Sequence, residues 1–250
     1  RSFFLSGERP DSVIIPEPWK ETYGPGRHTL RSPLILTDRP RTDRALTELI
    51  AHLESLGLQP ETATGLTEPP ADRCTICLGT RSPAMDRILA GLSISPDWAA
   101  LGAQGYVFAV RGRDAGVVAA LAGATDQGTY YAVQTFKQHL VSRGGTATAQ
   151  ECLVEDRPDF LRRGMVPGGT GMARIDAWMV PLKFNTILGV PRAGNAWWEP
   201  LSEEYRRSLR EWTTECARRF IAPSGGARPD RSYVRRIEFS SDTDVKAVLD

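Results

Sequence analysis

The fold is decided by residues 105–140, which read GYVFAVRGRDAGVVAALAGATDQGTYYAVQTFKQHL. Two apolar runs, Gly105–Val110 and Val117–Ala122, flank a short polar, glycine-containing segment, which is the pattern of a β-hairpin. After it, Asp126 opens a helix whose apolar stripe consists of Thr129, Ala132, Val133, Phe136 and Leu140. A hairpin followed by an amphipathic helix predicts a sheet with a helix packed on its face.

The residues before this stretch extend the same domain. Helical spacing of apolar residues after Thr42 predicts a first helix that stops at Gly57. Three short strands are expected, and Tyr23–Gly26 has the residues of a turn. The expected strands are Val13–Pro16, Leu34–Leu36 and Cys74–Gly79. Residues 1–150 are therefore predicted to form an α+β domain, with two helices on one face of the sheet.

Residues 151–250 change to a strand–helix alternation, which predicts parallel βαβ units. The expected strands are Phe160–Val166, Asn185–Val190 and Phe220–Ala222, and the expected helices are Arg174–Leu182, a helix starting at Ser202, and Asp242–Leu249. Three units are too few to close a (β/α)₈ barrel of the TIM type. The fold class is therefore α/β, with an α+β domain followed by an incomplete barrel. We expect the remainder of the barrel to come from further sequence or another polypeptide.

The composition excludes several classes of protein. The 250 residues have a formal net charge of +1, so the balance of charge does not predict a nucleic-acid partner. No apolar run approaches the ~20 residues needed to span a bilayer, and no membrane association is predicted. The few cysteines and the lack of a visible export signal fit either side of a membrane, so localisation stays open.

Cys74 and Cys77 form a C-x-x-C, which in other settings binds metal or undergoes redox chemistry. Here the pair lies in an apolar run with the pattern of a strand, where residues three apart point to opposite faces. The chain has no second C-x-x-C or nearby His pair, and no Walker or Rossmann glycine pattern. We expect buried packing for the two cysteines, no metal site and no cofactor.

Three stretches carry a likeness to a known family. They are Asp126–Thr135 (DQGTYYAVQT), Glu155–Gly164 (EDRPDFLRRG) and Leu182–Ile187 (LKFNTI). The first two resemble the junction between accessory domain and barrel in family 20 and family 84 glycoside hydrolases, the β-hexosaminidases and O-GlcNAcase-type enzymes. The third is similar to their second barrel strand, and Phe239–Lys246 (FSSDTDVK) looks more like family 84.

This resemblance implies a hydrolase of N-acetylglucosamine-containing glycans that uses substrate-assisted, retaining hydrolysis. The 2-acetamido group attacks its own anomeric carbon, one carboxylate orients that amide, and another acts as acid and then base. In the family-84 type the acid pair follows the fourth barrel strand, so we expect no catalytic residue within residues 1–250. The fragment alone is expected to be inactive.

Acidic pairs within the chain have a structural explanation. Asp242 and Asp244 stand at the start of an expected helix, where they cap it and complement its dipole. Asp156 and Asp159 precede the first barrel strand, on the side away from a barrel's active face.

The loops after the strands build the active face of a barrel, so residues there are the expected sugar contacts. In the resembled enzymes the first loop carries an acid, a glycine, two aromatic residues and a glycine. Gly168 and Gly171 match this pattern, whereas Pro167, Gly169 and Thr170 replace the acid and the aromatics. A simple glycine turn is the alternative explanation for the loop.

After the second strand, Arg192 and Asn195 stand where the family presents a sugar-binding Lys. They are candidate donors to sugar hydroxyls, although a guanidinium is not equivalent to an ammonium. Trp197 and Trp198 either stack on a sugar ring or pack against the following helix.

Two other functions remain open at this point. One is a non-catalytic carbohydrate-binding or interaction module that kept the architecture and lost the site. The other is a related enzyme with an accessory domain and a barrel, such as an α-glucuronidase.

Overall fold

The computed structural model describes residues 12–113, 115–143, 146–165, 171–188 and 202–224. The chain forms two compact units, residues 1–161 and 162–250, and each is treated separately below.

The first unit is a mixed α/β domain. Its strands are β1 (Lys20–Thr29), β2 (Leu34–Thr37), β3 (Glu61–Thr64), β4 (Cys74–Thr80), β5 (Tyr106–Arg113), β6 (Gly116–Gly123), β7 (Val141–Arg143) and β8 (Thr146–Asp156). Its helices are α1 (Arg44–Ser55), α2 (Pro83–Gly91), α3 (Trp98–Leu101) and α4 (Asp126–His139).

All eight strands join one sheet in the order β1-β8-β5-β6-β4-β2-β3, with β7 beside β8. The pairs β2–β3, β2–β4 and β4–β6 are parallel, whereas β5–β6, β5–β8 and β1–β8 are antiparallel. The prediction of a hairpin followed by a helix is confirmed, since β5 and β6 pair antiparallel and α4 starts at Asp126.

Alternation along the strands sends successive side chains to opposite faces of the sheet. On one face, Val107 and Ala109 of β5 join a core with Met85 and Leu89 of α2 and with Trp98. On the other face, Phe108 contacts Phe136 of α4, their ring centroids 5.6 Å apart. Both faces of the sheet are therefore covered. The two predicted helices, α1 and α4, lie together on one face as expected, whereas α2 and α3 cover the other face and were not predicted.

The N-terminal part also differs from prediction. Val13–Pro16 does not form a strand, and Tyr23–Gly26, predicted as a turn, lies inside β1. The register of β1 on β8 shifts between Tyr23 and Arg27, where β1 has two more residues than β8 and the pairing is irregular. The glycines and Pro25 therefore interrupt a strand at the edge of the sheet without reversing the chain.

The second unit contains a three-stranded parallel sheet. Its elements are β9 (Gly164–Met165), α5 (Met172–Arg174), a π-helical turn (Ile175–Met179), β10 (Thr186–Leu188), α6 (Glu203–Ala217) and β11 (Ala222–Ser224). The sheet order is β11-β10-β9, and both pairs are parallel. The predicted strand–helix alternation is confirmed over these elements, although β9 begins at Gly164 instead of Phe160 and β11 begins at Ala222 instead of Phe220. The helix expected over Asp242–Leu249 lies outside the described residues.

The helix predicted from Ser202 is confirmed. The Ser202 hydroxyl accepts a hydrogen bond from the Tyr205 amide at 3.2 Å, which satisfies one of the free amides at the helix start. Arg218 and Arg219 follow Ala217, the last residue of α6. Among the described residues, no helix is both long and apolar enough to cross a membrane.

Candidate functional site

The candidate site is the carboxyl edge of the parallel sheet in the second unit. Gly164 and Ala222 both pair with Thr186, so the three strands run side by side in the same direction. They end at Met165, Leu188 and Ser224, so their carboxyl ends lie at the same edge of the sheet. In proteins built from parallel β/α units, ligands bind beyond the carboxyl ends of the strands.

Gly171 is the one expected sugar contact within the described residues. It precedes α5, and its carbonyl accepts hydrogen bonds from the amides of Arg174 at 3.0 Å and Ile175 at 3.2 Å. Its backbone is extended (φ −65°), and a Cβ placed there would have no atom within 4 Å. Gly171 therefore lies beside open space at the helix start, and its backbone alone does not require glycine.

The other expected contacts, Gly168, Arg192 and Asn195, lie outside the described residues, as do Trp197, Trp198, Asp242 and Asp244. Their roles remain predictions.

A buried arginine stabilises the second unit next to this sheet. Arg219, 5% exposed, contacts both carboxylate oxygens of Asp176 in the π-helical turn, through Nε at 2.5 Å and Nη2 at 3.1 Å. Its Nη1 also contacts Glu215 of α6 at 2.7 Å. The hydrogen bond from Arg219 is the largest influence on Glu215 and holds the pKa of that carboxyl below its usual range. These contacts connect the π-helical turn that follows β9 to α6, the helix that precedes β11.

The π-helical turn is a second feature that the sequence did not indicate. Hydrogen bonds of i→i+5 spacing join the Val180 amide to the Ile175 carbonyl and the Phe184 amide to the Met179 carbonyl. Such turns are rare and occur frequently at functional sites. The turn leaves the side chain of Trp178 61% exposed, which offers a flat apolar surface in the second unit.

The C-x-x-C cysteines lie on β4 as predicted, and both are free thiols. Burial raises the pKa of Cys74 to about 11 and that of Cys77 to about 12. Both sulfurs are therefore protonated at neutral pH and poor ligands or nucleophiles. Within the described residues, no three His, Cys, Asp or Glu side chains are grouped so as to hold a metal ion.

Asp156 has a structural role at the end of β8. Its Oδ1 accepts a hydrogen bond from the Trp19 amide at 3.1 Å, and its Oδ2 accepts one from the Tyr106 hydroxyl at 2.7 Å. The carboxylate thus links the start of β1 to β5. Asp159 is exposed.

A Cys–His contact that the sequence did not indicate lies inside the first unit. His139 is 1% exposed. Its Nε2 lies 2.8 Å from the Gln150 carbonyl and 3.7 Å from the Sγ of Cys152. Burial is the main cause that raises the pKa of the Cys152 thiol far above its usual range. An enclosed, protonated thiol is a packing group and not a nucleophile.

Comparison with known proteins identifies the family of the first unit and structures with a similar fold. The family described as "Glycosyl hydrolase family 20, domain 2" matches residues 11–157. No curated protein matches the chain significantly.

Several solved structures share the fold. CpGH84D matches with a TM-score of 0.67 and 17% identity over 95% of this chain, and CpGH84B with a TM-score of 0.64 and 19% identity, also over 95%. The exo-β-N-acetylglucosaminidase of Vibrio harveyi, solved in complex with N-acetylglucosamine, matches with a TM-score of 0.57 and 14% identity over 90%.

This chain spans only 40%, 40% and 38% of those three proteins. At these identities the likeness shows the fold alone. The family match, in contrast, covers more than half of the chain and coincides with the eight-stranded sheet and its helices. Through residues 11–157 the chain therefore belongs to the family of glycosyl hydrolase family 20 domain 2.

Proposed function

We propose that this chain is part of a glycoside hydrolase that acts on N-acetylglucosamine-type sugars. The observation that carries the proposal is the order of the two units. A family 20 domain 2 over residues 11–157 is followed by parallel strands joined by helices. The structural neighbour from Vibrio harveyi with this fold is an exo-β-N-acetylglucosaminidase bound to N-acetylglucosamine.

In this proposal residues 1–150 form the accessory domain and residues 151–250 the first part of a TIM-type barrel. The loops at the carboxyl edge contact the sugar. Gly168 and Gly171 let the ring approach the backbone, while Arg192 and Asn195 donate hydrogen bonds to hydroxyl groups. The remainder of the barrel completes the site.

Hydrolysis is proposed to proceed with retention, through attack of the substrate's own acetamido oxygen on the anomeric carbon. We assign no catalytic carboxylate to residues 1–250. Among the acids discussed above, Asp156 accepts two hydrogen bonds from the first unit itself, and these explain its position without a catalytic role.

A first experiment tests catalysis. The purified 250-residue chain is incubated with an aryl N-acetyl-β-glucosaminide, and release of the aryl alcohol is followed. We expect none. Turnover that copurifies with the protein and vanishes in Asp242→Asn would overturn the assignment of the acids.

A second experiment tests binding. The chain is titrated with methyl N-acetyl-β-glucosaminide by calorimetry, and the Arg192→Ala variant is expected to bind about tenfold more weakly, the loss of ~1.4 kcal/mol. Arg81→Ala, which removes an exposed arginine of the first unit, is the matched control. Equal affinity of wild type and Arg192→Ala would contradict the proposal.

The loop after the first strand favours a second candidate, a non-catalytic carbohydrate-binding module. Pro167, Gly169 and Thr170 stand where the resembled enzymes carry an acid and two aromatic residues. Expression of the complete open reading frame, followed by assays of sugar binding and of turnover, distinguishes a hydrolase from a binding module. Sugar binding without any turnover supports the module, and preference for a glucuronide supports an α-glucuronidase.

A further inference from the structure

A pocket of about 440 Å³ opens in the first unit, between α2 and the segment that leads into α3. It is lined by Asp86 and Ala90 of α2, by Ser93, Ile94 and Ser95 of the connecting segment, and by Trp98. Its volume lies near the lower end of the roughly 300–1,000 Å³ range of ligand pockets. That size suits one sugar ring better than an oligosaccharide.

The backbone around the pocket is fixed by local hydrogen bonds. After α2 the chain turns at Ser93, which has a left-handed backbone (φ 61°), and its amide bonds to the Ala90 carbonyl at 2.9 Å. The Ile94 amide then bonds to the Leu89 carbonyl at 2.9 Å, which places Ile94 in the core. This turn leaves Ser93 and Ser95 exposed at the pocket rim.

The indole of Trp98 is held in place by Asp86. Its Nε1 donates to Oδ1 of Asp86 at 3.2 Å, and Trp98, which lines the pocket, is 9% exposed. Asp97 caps the start of α3 by accepting hydrogen bonds from the amides of Ala99 and Ala100. The aromatic ring and the carboxylate thus hold a fixed relative position before any ligand arrives.

The chemistry of this lining suits a hydroxyl-rich ligand without negative charge. Among the described residues that line the pocket, Asp86 alone is charged, so anions such as phosphates or uronates are disfavoured. A carboxylate accepts strong hydrogen bonds from hydroxyls, and serine hydroxyls both donate and accept. Ile94 and Trp98 also line the pocket, but they are 5% and 9% exposed, so with the half-buried Pro96 they add only a small apolar contact for the C–H groups of a sugar ring.

We propose that this pocket binds a neutral pyranose. The choice of N-acetylglucosamine as the first probe rests on the proposed function, whereas the site itself rests on the geometry of Asp86, Ser93 and Trp98. Hydroxyl groups bond to Asp86 Oδ2 and to the two serines, and the ring packs against the apolar lining.

The test uses the ¹⁵N-labelled 250-residue chain and the indole N–H signal of Trp98, identified by its absence in Trp98→Phe. Methyl N-acetyl-β-glucosaminide and methyl β-glucoside are titrated separately. We expect a saturable shift of this signal with at least one of them, insensitive to salt because the ligand is neutral.

Variants separate binding from folding. Ala90 is an exposed helical residue on the pocket wall, so Ala90→Tyr fills the pocket and is expected to abolish the shift. Ala51→Tyr, on an exposed position of α1, is the matched control and retains it. Asp86→Asn keeps an oxygen for the Trp98 indole and is expected to weaken binding about tenfold, as for one lost hydrogen bond to a charged group.

Ser93→Gly provides a second check, since it removes a rim hydroxyl and relieves the left-handed backbone. We expect weaker sugar binding together with an equal or higher unfolding midpoint. Weaker binding accompanied by a lower midpoint would instead indicate a folding effect and count against a contact from this hydroxyl.

Three results would overturn the proposal: no saturable shift with either glycoside, an unchanged shift in Ala90→Tyr, or a shift with tetramethylammonium but not with sugars. These outcomes are independent of the carboxyl-edge site. If sugar binding depends on Arg192 and the Trp98 signal does not shift, the pocket proposal alone is refuted. Binding at Trp98 with no effect of Arg192→Ala refutes the proposed function alone.

Discussion

Glu48 of α1 accepts a hydrogen bond from the hydroxyl of Tyr130 on α4, with 2.7 Å between the oxygens. The same carboxylate contacts Gln134 at 2.8 Å and Lys137 at 3.0 Å on α4, and Arg44 at 2.7 Å on its own helix. One acidic side chain therefore joins the two helices that cover one face of the first sheet.

The first prediction is that Glu48→Gln lowers the free energy of unfolding by about 1–3 kcal/mol, because buried partners lose hydrogen bonds to a charged group. The measurement is urea unfolding followed by circular dichroism. Glu54→Gln, at an exposed position of the same helix, is the control and is expected to change stability little. Equal effects of the two substitutions would show that the network contributes nothing specific.

The same residue predicts a pH dependence. Burial acts to raise the pKa of Glu48, but Lys137, Gln134 and Tyr130 outweigh it and lower that pKa overall. A depressed folded-state pKa stabilises the fold above the unfolded value of roughly 4.3, and this contribution is lost as the pH falls through the lower folded value. The unfolding free energies of wild type and Glu48→Gln should converge in acid. A constant difference between neutral pH and about pH 3 would contradict this.

Strong local patterns made much of the fold predictable. The stripe of α4 and the two runs of the hairpin follow periodicities that burial requires, and both were found. β1 was missed because its middle carries turn residues, Gly24–Gly26, and because its stability as a strand comes from pairing with β8, more than a hundred residues away. The sequence of residues 20–29 alone does not indicate that pairing.

Other misses had a signal in the sequence. Ser82 followed by Pro83 is a helix start, and the Ser82 hydroxyl caps the Met85 amide at 3.2 Å. Recognising α2 would have brought Asp86 and Trp98 together as candidates. The carboxyl edge of the second unit followed from the strand–helix alternation, whereas the Arg219–Asp176 contact joins residues on two separate elements and has no local pattern.

A further prediction concerns the thiols. Burial is the first cause that raises the pKa of Cys77 and of Cys216 to about 12, and these thiols therefore stay protonated at neutral pH. A small aromatic disulfide reagent should leave the native chain nearly unlabelled, with Cys74, the least buried, reacting first. All four thiols should react once urea unfolds the protein. Rapid labelling of Cys77 in the native state would refute its packing role.

Two glycines of the second unit give opposite predictions. At Gly164 of β9 an added Cβ would lie 2.5 Å from the Thr186 carbonyl oxygen of β10, so Gly164→Ala must push the strands apart. We expect a loss of about 1–3 kcal/mol, the usual cost of overpacking. Gly171→Ala places its methyl group in open space and should leave the unfolding midpoint unchanged while weakening binding of N-acetylglucosamine. Equal midpoints for the two variants would disprove the close approach of β9 to β10.

The last prediction compares neighbouring arginines that share a partner. Arg218 and Arg219 each contact Glu215 at 2.7 Å, but Arg218 is 64% exposed and Arg219 is 5% exposed and also contacts both oxygens of Asp176. Lysine keeps the charge but cannot reproduce the planar two-point contact. Arg219→Lys should therefore cost about 1–3 kcal/mol, whereas Arg218→Lys should cost less than about 0.5 kcal/mol, as for an exposed ion pair.

Urea unfolding followed by tryptophan fluorescence measures both arginine variants, since Trp212 lies on α6 and is buried. The double variant Arg219→Lys with Asp176→Asn isolates the contact between those two residues. If they interact as the geometry requires, its loss is smaller than the sum of the single losses. If the two single losses simply add, Arg219 stabilises the unit through Glu215 and packing alone. The ion pair with Asp176 would then not connect the π-helical turn to α6.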